Sequence, residues 1–413
     1  MAMSEIPHVV IVGGGFGGLN AALSLRSAPV RVTLIDRSNH HLFQPLLYQV
    51  ATAGLAAPDI AAPIRRILRG QDNVTVLMGE VDDIDTAEKT VCFSGSEIPY
   101  DHLIVAVGAV NHWFGNDDWA AHAPGLKTID DALDIRRRIL VAFESAERAT
   151  DPEEQSQWLT FAVVGGGPTG VELAGSIIEV ATHALARDFR NFDTQRTKVI
   201  LIEGGDRILP AFPEDLSQKA RAQLAGLGVE VRTGSRVTDI TAEGVRLGEE
   251  LVAARTVLWG AGVKASPLLA ALDVPLDRGG RVLVEPDLSI PGHPEVTVIG
   301  DAAALKQDDK WVPGVAPAAT QGGQHVAGNI RRGLASKLPL PFRYTDKGSL
   351  ATIGRRAAVA DFGRLRFSGF FAWLLWMGVH VLFLIGFRNK AAVMMEWAWA
   401  YLTYQRSARV ILR

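Results

Sequence analysis

Glycines at 13, 15 and 18, with an acid at 36, and glycines at 165, 167 and 170, with an acid at 203, carry the clearest chemical signal in this chain. The first glycine of such a set permits a tight turn, the second lets the backbone approach a pyrophosphate, and the third lets helix and strand pack closely. The phosphates then face the partly positive N-terminus of the following helix, and the acid can accept hydrogen bonds from a ribose diol.

Each set sits among the elements it needs. His8–Gly13 (HVVIVG) is an apolar run of strand length, Gly13–Gly18 is the loop, Leu19–Ala28 has helical spacing, and Arg31–Asp36 (RVTLID) is a second strand closed by an acid 21 residues beyond Gly15. The pattern recurs as the strand Leu159–Gly165, the loop Gly165–Gly170, a helix from Val171, and the strand Lys198–Glu203 (KVILIE). The longer spacing in the second copy is read as an inserted turn or two. A duplicated unit with one inactive loop is the plain alternative. Two working loops imply electron traffic between two dinucleotides, one held tightly and one exchanging.

A third signal is the strand–Gly–Asp run Val296–Asp301 (VTVIGD), which resembles the second flavin motif of the two-dinucleotide-domain flavoproteins. The stretches His41–Gly54 (HLFQPLLYQVATAG), Gly165–Gly175 (GGGPTGVELAG), Trp259–Val263 (WGAGV) and Tyr344–Gly354 (YTDKGSLATIG) are similar to those of type II NADH dehydrogenases, single-subunit NADH:quinone oxidoreductases that do not pump protons. The similarity runs over nearly the whole chain. It implies an α/β fold of two Rossmann-like domains, for FAD and for NADH, with a C-terminal helical, membrane-associated region. The expected boundaries are 1–115 with 286–345 for FAD, 116–285 for NADH, and 346–413 for the membrane region.

The resemblance implies tightly but non-covalently bound FAD, contacted by Gly13, Gly15, Gly17, Gly18, Asp36, Gln44, the Val81 backbone, Gly108, Asp301 and Lys347. It implies NADH at Gly165, Gly167, Gly170, Glu172, Glu203 and Gly262. Glu203 would repel a 2′-phosphate and favours NADH over NADPH, although Arg207 stands close in sequence. Glu172, on the first turn after the second loop, is the candidate catalytic residue. Hydride transfer abstracts no proton, so its role would be to orient the nicotinamide or relay a proton to the quinone. An acid in a first helical turn is also stabilised by the helix dipole alone. In the segment Val312–Asn329, Pro317 suits a helix start. Where the family commonly reads AQxxxQ, Gln321 keeps the second glutamine and Pro317 replaces the first, leaving Gln321 as the candidate quinone contact or an ordinary polar helix residue.

Composition bounds these readings. The chain has 413 residues, so two or three domains are expected. Lys+Arg 42 against Asp+Glu 45 gives −3 and no general polyanion-binding surface, so nucleic acid is not an expected partner. Cys92, a single cysteine, cannot form an internal disulfide, a CxxC pair or a cysteine metal site. That count excludes sulfide:quinone oxidoreductase and disulfide reductase chemistry, which need paired cysteines; no metal is expected. The N-terminus shows no basic stretch before an apolar run, so no secretory leader is expected.

From Arg366 onward stand six cations and one acid, a net +5, which leaves −8 for the rest, and four of the nine Trp lie in this tail. Between Arg366 and Arg388 run 21 uncharged residues; as one helix they would extend about 31 Å, enough to span a bilayer. The alternative, which the resemblance favours, is a monotopic hairpin on the lipid surface with Trp373, Trp376, Trp397 and Trp399 at headgroup depth. A homodimer interface is compatible with either. The expected location is the cytoplasmic face of the inner (plasma) membrane, and the expected partner is a membrane quinone. His380 reads as a packed or quinone-mouth residue. A flavoprotein reductase of another acceptor, or a redox-dependent membrane-binding module, are the competing functions.

Overall fold

The structure is a computed structural model, and it describes residues 6–403, 406 and 408–411. The expectation about a leader rests partly on Met1–Glu5, which lie outside the described residues, as do Tyr404 and Arg413 of the tail. By contact, the chain groups into two units: 1–42 with 61–110 and 263–347, and 43–60 with 111–262 and 348–413.

The first unit is built on a six-stranded sheet. Its parallel strands lie in the order His293–Val298, His102–Val105, His8–Val12, Arg31–Asp36, Val74–Met78, with the short Ser289–Ile290 antiparallel at one edge. His8–Val12 is buried throughout, as a central parallel strand must be when both sheet faces are covered. The loop helix Phe16–Ser24 packs on Ala316–Leu334, and a Cβ at Gly323 would stand 2.1 Å from the Gly17 carbonyl, so only glycine permits that approach. Pro317 lies in the first turn of Ala316–Leu334, where its missing N–H goes unneeded.

The second unit repeats the plan with four parallel strands in the order Val229–Arg232, Lys198–Ile202, Thr160–Val164, Thr256–Trp259. Helix Ile129–Arg148 begins in a reciprocal cap: Thr128 Oγ1 accepts from the Asp131 N–H, and Asp131 accepts from the Thr128 N–H. Its buried Ile135, Ile139, Ala142, Phe143 and Ala146 form the stripe that faces inward. The extra length before the second acid is a π-turn, Val180–Ala184, and a loop whose Phe189 and Phe192 stack on Phe143 at 6.0 and 6.5 Å.

These units depart from the expected boundaries, because 43–60 and 348–413 group with the segment that carries the second glycine loop. Packing explains it. Leu47–Ala51 lies on helix Ile129–Arg148, and the loop helix Pro168–Glu179 presses so closely on strand Ser349–Gly354 that a Cβ at Gly175 would stand 1.7 Å from the Ile353 carbonyl.

The tail removes one of the two readings left open by its sequence. The uncharged run is not one spanning helix. It enters through strand Arg366–Ser368 and Gly369 at φ +71°, forms Phe370–Phe383, and turns at extended Leu384 and Gly386, φ +89°, into Phe387–Thr403. Fourteen helical residues give about 21 Å, short of the hydrocarbon thickness. Among the described residues, no helix is long and apolar enough to cross a membrane.

Candidate functional site

The two glycine loops share one construction. In the first unit, Asp36 accepts the Gly14 N–H at 2.6 Å through Oδ2 and the Ser38 N–H at 2.6 Å through Oδ1. In the second, Glu203 accepts the Gly166 N–H at 2.6 Å through Oε2 and the Gly205 N–H at 2.6 Å through Oε1. Each carboxylate therefore clasps its own loop and keeps lone pairs for a diol. Gly13 and Gly165 have φ +102° and +110°. Cβ atoms at Gly18 and Gly170 would each stand 1.8 Å from the loop's first carbonyl, whereas at Gly15 and Gly167 they would meet nothing within 4 Å. Open space at the middle glycine, ahead of a helix N-terminus, fits a diphosphate in both loops.

Other expected FAD positions gather near the first loop. A Cβ on Gly13 would collide with the Ala106 carbonyl at 2.4 Å, which places the exit of strand His102–Val105 and Gly108 beside the loop. A Cβ on Gly17 would stand 2.8 Å from Ile299 Cδ1, so the turn Gly300–Ala302 carrying Asp301 is also adjacent. Val81 opens strand Val81–Asp85 at a register shift, and Lys347 is exposed. Gln44, half-buried at the start of the turn Gln44–Leu46, belongs to the second unit. There too, Gly262 lies against His112, its carbonyl accepting the His112 N–H at 3.1 Å with no room for a side chain. Arg207 donates one guanidinium N–H to the Pro210 carbonyl at 3.0 Å, in an exposed bond.

Glu172 points elsewhere than the nucleotide loop. Together with Ser176 and Glu179 on the same helix face, it lines a cavity of about 130 Å³ with Tyr48, Gln49, Thr352, Trp373, Trp376, Trp397, Tyr401 and Arg406. That is close to the size of a cavity able to hold one benzene ring, about 150 Å³. Burial pushes the Glu172 carboxyl well above the usual range, against a hydrogen bond from the Thr352 N–H that favours the anion. Burial likewise raises Tyr48 well above 10.0, helped by the charge of Glu172. Burial thus favours the protonated form of Glu172 over the anion.

Tail and body are knitted here. The Trp397 indole N–H donates to Gln49 Oε1 at 2.7 Å, and Gln49 Nε2 donates to Tyr48 Oη at 2.8 Å. Arg406 donates to the Thr52 carbonyl at 2.7 Å and pairs with Glu179 at 3.4 Å. The Trp376 indole N–H is buried without a hydrogen-bond partner among the described residues. His380 is packed against Trp376 at 4.3 Å and Phe43 at 6.1 Å, and burial lowers its pKa to about 4.

Gln321 lies in the first unit, where both ends of its amide bond Thr345: Nε2 to the carbonyl and Oε1 from the N–H, each at 2.9 Å. Sequence reasoning missed Tyr48, Gln49, Glu179, Trp376 as a donor, and Arg406. Glu179 could have been found, since it follows Glu172 by seven residues on one helix face. Arg406 carried no local signal.

A family model described as pyridine nucleotide-disulphide oxidoreductase matches residues 7–323, and one described as NDH2 C-terminal domain matches residues 347–405. The chain is 48% identical to a type II NADH:quinone oxidoreductase, Ndh, of Mycobacterium tuberculosis, over 98% of this chain and 90% of that one. A solved NDH2 from Plasmodium falciparum in complex with NADH has a TM-score of 0.90 at 21% identity, covering 99% of this chain and 100% of that one. A sulfide:quinone oxidoreductase from Aquifex aeolicus shares the fold with a TM-score of 0.75 at 17% identity, covering 94% and 92%. With one cysteine in the chain, the last likeness extends to the fold and not to cysteine-pair chemistry.

Proposed function

The chain belongs to the type II NADH:quinone oxidoreductase family, and from that premise we propose how its own residues carry two electrons from NADH to a membrane quinone without pumping protons. The observation that carries the reading is Glu172: it stands one turn beyond a dinucleotide loop and opens into a ring-sized, aromatic-lined cavity closed by the tail.

FAD is assigned to Gly13, Gly15, Gly17 and Gly18 without a covalent link, with Asp36 on the adenosine ribose and Val81, Gly108, Asp301, Lys347 and Gln44 as further contacts. When bound, FAD would supply the two-electron carrier between nicotinamide and quinone. NADH is assigned to Gly165, Gly167, Gly170, Gly262 and Glu203. The Glu203 carboxylate favours NADH over NADPH. Quinone reduction consumes two protons and NADH brings one. Glu172, whose protonated form burial favours, supplies the other. Gln321 is assigned to the quinone only through its second lone pair and second amide proton, since Thr345 engages the first of each.

The tail helices leave Phe371, Leu382, Met395, Trp399 and Leu402 exposed, Leu402 by 78%. With Arg388 and Lys390 beside them, they fit monotopic insertion into an anionic lipid surface on the cytoplasmic face of the membrane. A second copy of the chain is the other cover for such a surface. The test is NADH oxidation with a short-chain quinone in detergent: wild type turns over with a flavin spectrum, and Glu172→Gln keeps the spectrum but slows turnover at least roughly 10-fold. An unchanged rate would leave Glu172 a structural role.

A further inference from the structure

A donor-only group at one end of a hydrogen-bond chain fixes the direction of the whole chain. The Trp397 indole can only donate, so the Gln49 atom it meets at 2.7 Å must be the oxygen. The Gln49 amine is then forced toward Tyr48 Oη, 2.8 Å away. Tyr48 therefore accepts from Gln49, and its own hydroxyl proton is directed away from that bond. Tyr48 lines the same cavity as Trp376, whose buried indole N–H has no hydrogen-bond partner among the described residues. The cavity thus offers two donors, and an oxidised quinone is a ligand with acceptor oxygens alone and a flat ring for Trp373, Trp376, Trp397 and Tyr401 to hold.

We propose that Tyr48 is a catalytic proton donor to the quinone oxygen, held in that orientation by the positioning residues Gln49 and Trp397. The inference rests on the quinone reading above and adds to it the atom that delivers the proton. The balance is NADH + H⁺ + quinone giving NAD⁺ + hydroquinone. NADH provides both electrons and one proton. The Tyr48 O–H bond breaks as the hydroquinone O–H bond forms, and Glu172 returns a proton to the phenolate oxygen before refilling from solvent. The titratable groups facing Tyr48 are Glu172, Glu179 and Arg406. Burial disfavours a standing phenolate, so the two transfers are coupled.

Tyr48→Phe keeps the ring and removes only the proton. In rapid mixing, its flavin should be reduced by NADH at the wild-type rate, while reoxidation by a short-chain quinone falls roughly 100-fold and the solvent deuterium effect on that step disappears. Ferricyanide, which takes electrons without protons, should reoxidise the variant normally. Trp397→Phe releases the amide and should slow quinone reoxidation less than Tyr48→Phe. Independently of turnover, difference infrared spectra of a carbonyl-labelled quinone should show its C=O band at higher frequency in Tyr48→Phe than in wild type. Quinone reoxidation at the wild-type rate with an unmoved carbonyl band would overturn the proposal, as would equal slowing with ferricyanide, which would mark a general defect. Wild type that ferricyanide reoxidises and quinone does not would remove the acceptor assignment itself, a failure distinguishable from that of Tyr48.

Discussion

Arg406 and Glu179 form an ion pair at 3.4 Å although 227 residues separate them, and both side chains are largely buried. The same guanidinium holds the Thr52 carbonyl at 2.7 Å, so one tail residue pins two other segments beside the Glu172 cavity. Glu179 also accepts from the Arg355 N–H. Removing one partner of a buried pair leaves the other charge uncompensated. Arg406→Ala should therefore cost about 3 kcal/mol in urea unfolding. A loss below about 0.5 kcal/mol would place this pair with ordinary surface bridges.

Glu172 gives a stability prediction with a defined sign. Its folded pKa lies well above 4.5, so the folded state binds the proton more tightly. The stabilisation is complete below the unfolded pKa and is lost as pH rises toward the folded value. In that window wild type should lose up to about 1.4 kcal/mol per pH unit relative to Glu172→Gln. Urea unfolding of both proteins at pH 5, 6 and 7 measures the difference. A constant gap would mean that Glu172 is ionised in the folded state.

His380 has the opposite sign. Its folded value of about 4 lies below 6.5, so the neutral ring stabilises the fold above pH 6.5 and that contribution is lost as pH falls toward 4. The loss is at most about 3 kcal/mol. His380→Leu should show less acid sensitivity than wild type over this range. Equal acid sensitivity of the two proteins would contradict the burial of His380 between Trp376 and Phe43.

Much of this architecture was readable from local patterns, and the exceptions have physical causes. Both loops, the strand-ending acids and the place of Pro317 follow from spacing, whereas the bonds those acids make to their own loops do not. The tail stayed open between a span and a surface hairpin because an uncharged run says nothing of Gly369 and Gly386 taking positive φ. The grouping of 43–60 and 348–413 with the second loop depends on packing between segments far apart in sequence, Leu47–Ala51 on Ile129–Arg148 and Gly175 against Ile353. Tyr48 and Gln49 lie within a recognised stretch, yet their role depends on Trp397, about 350 positions away, which no motif could place.

The Glu203 clasp should set nucleotide preference. Glu203→Gln keeps an oxygen for the Gly166 N–H but removes the negative charge. The preference of kcat/KM for NADH over NADPH should narrow roughly 10-fold, which is about 1.4 kcal/mol. Steady-state kinetics with both nucleotides decides it, and an unaltered ratio would assign the discrimination to other residues.

The exposed tail should govern membrane association. Burying a large apolar side chain contributes roughly 1.5–3 kcal/mol. Leu382→Asp with Met395→Asp, both at exposed positions, should lower partition onto anionic vesicles by at least roughly 100-fold. Unchanged flotation, with a dimer in both proteins, would point instead to a second copy over this surface.

The central claim, that two dinucleotide loops in one chain serve a single electron path from NADH to quinone, is tested most directly by following the flavin absorbance of the purified protein in two rapid-mixing steps. The account predicts bleaching on mixing with NADH, and full recovery of the yellow spectrum on mixing the reduced protein with a short-chain quinone under anaerobic conditions. A protein that carries no flavin after incubation with FAD, or one whose bleached spectrum quinone does not restore, would contradict it.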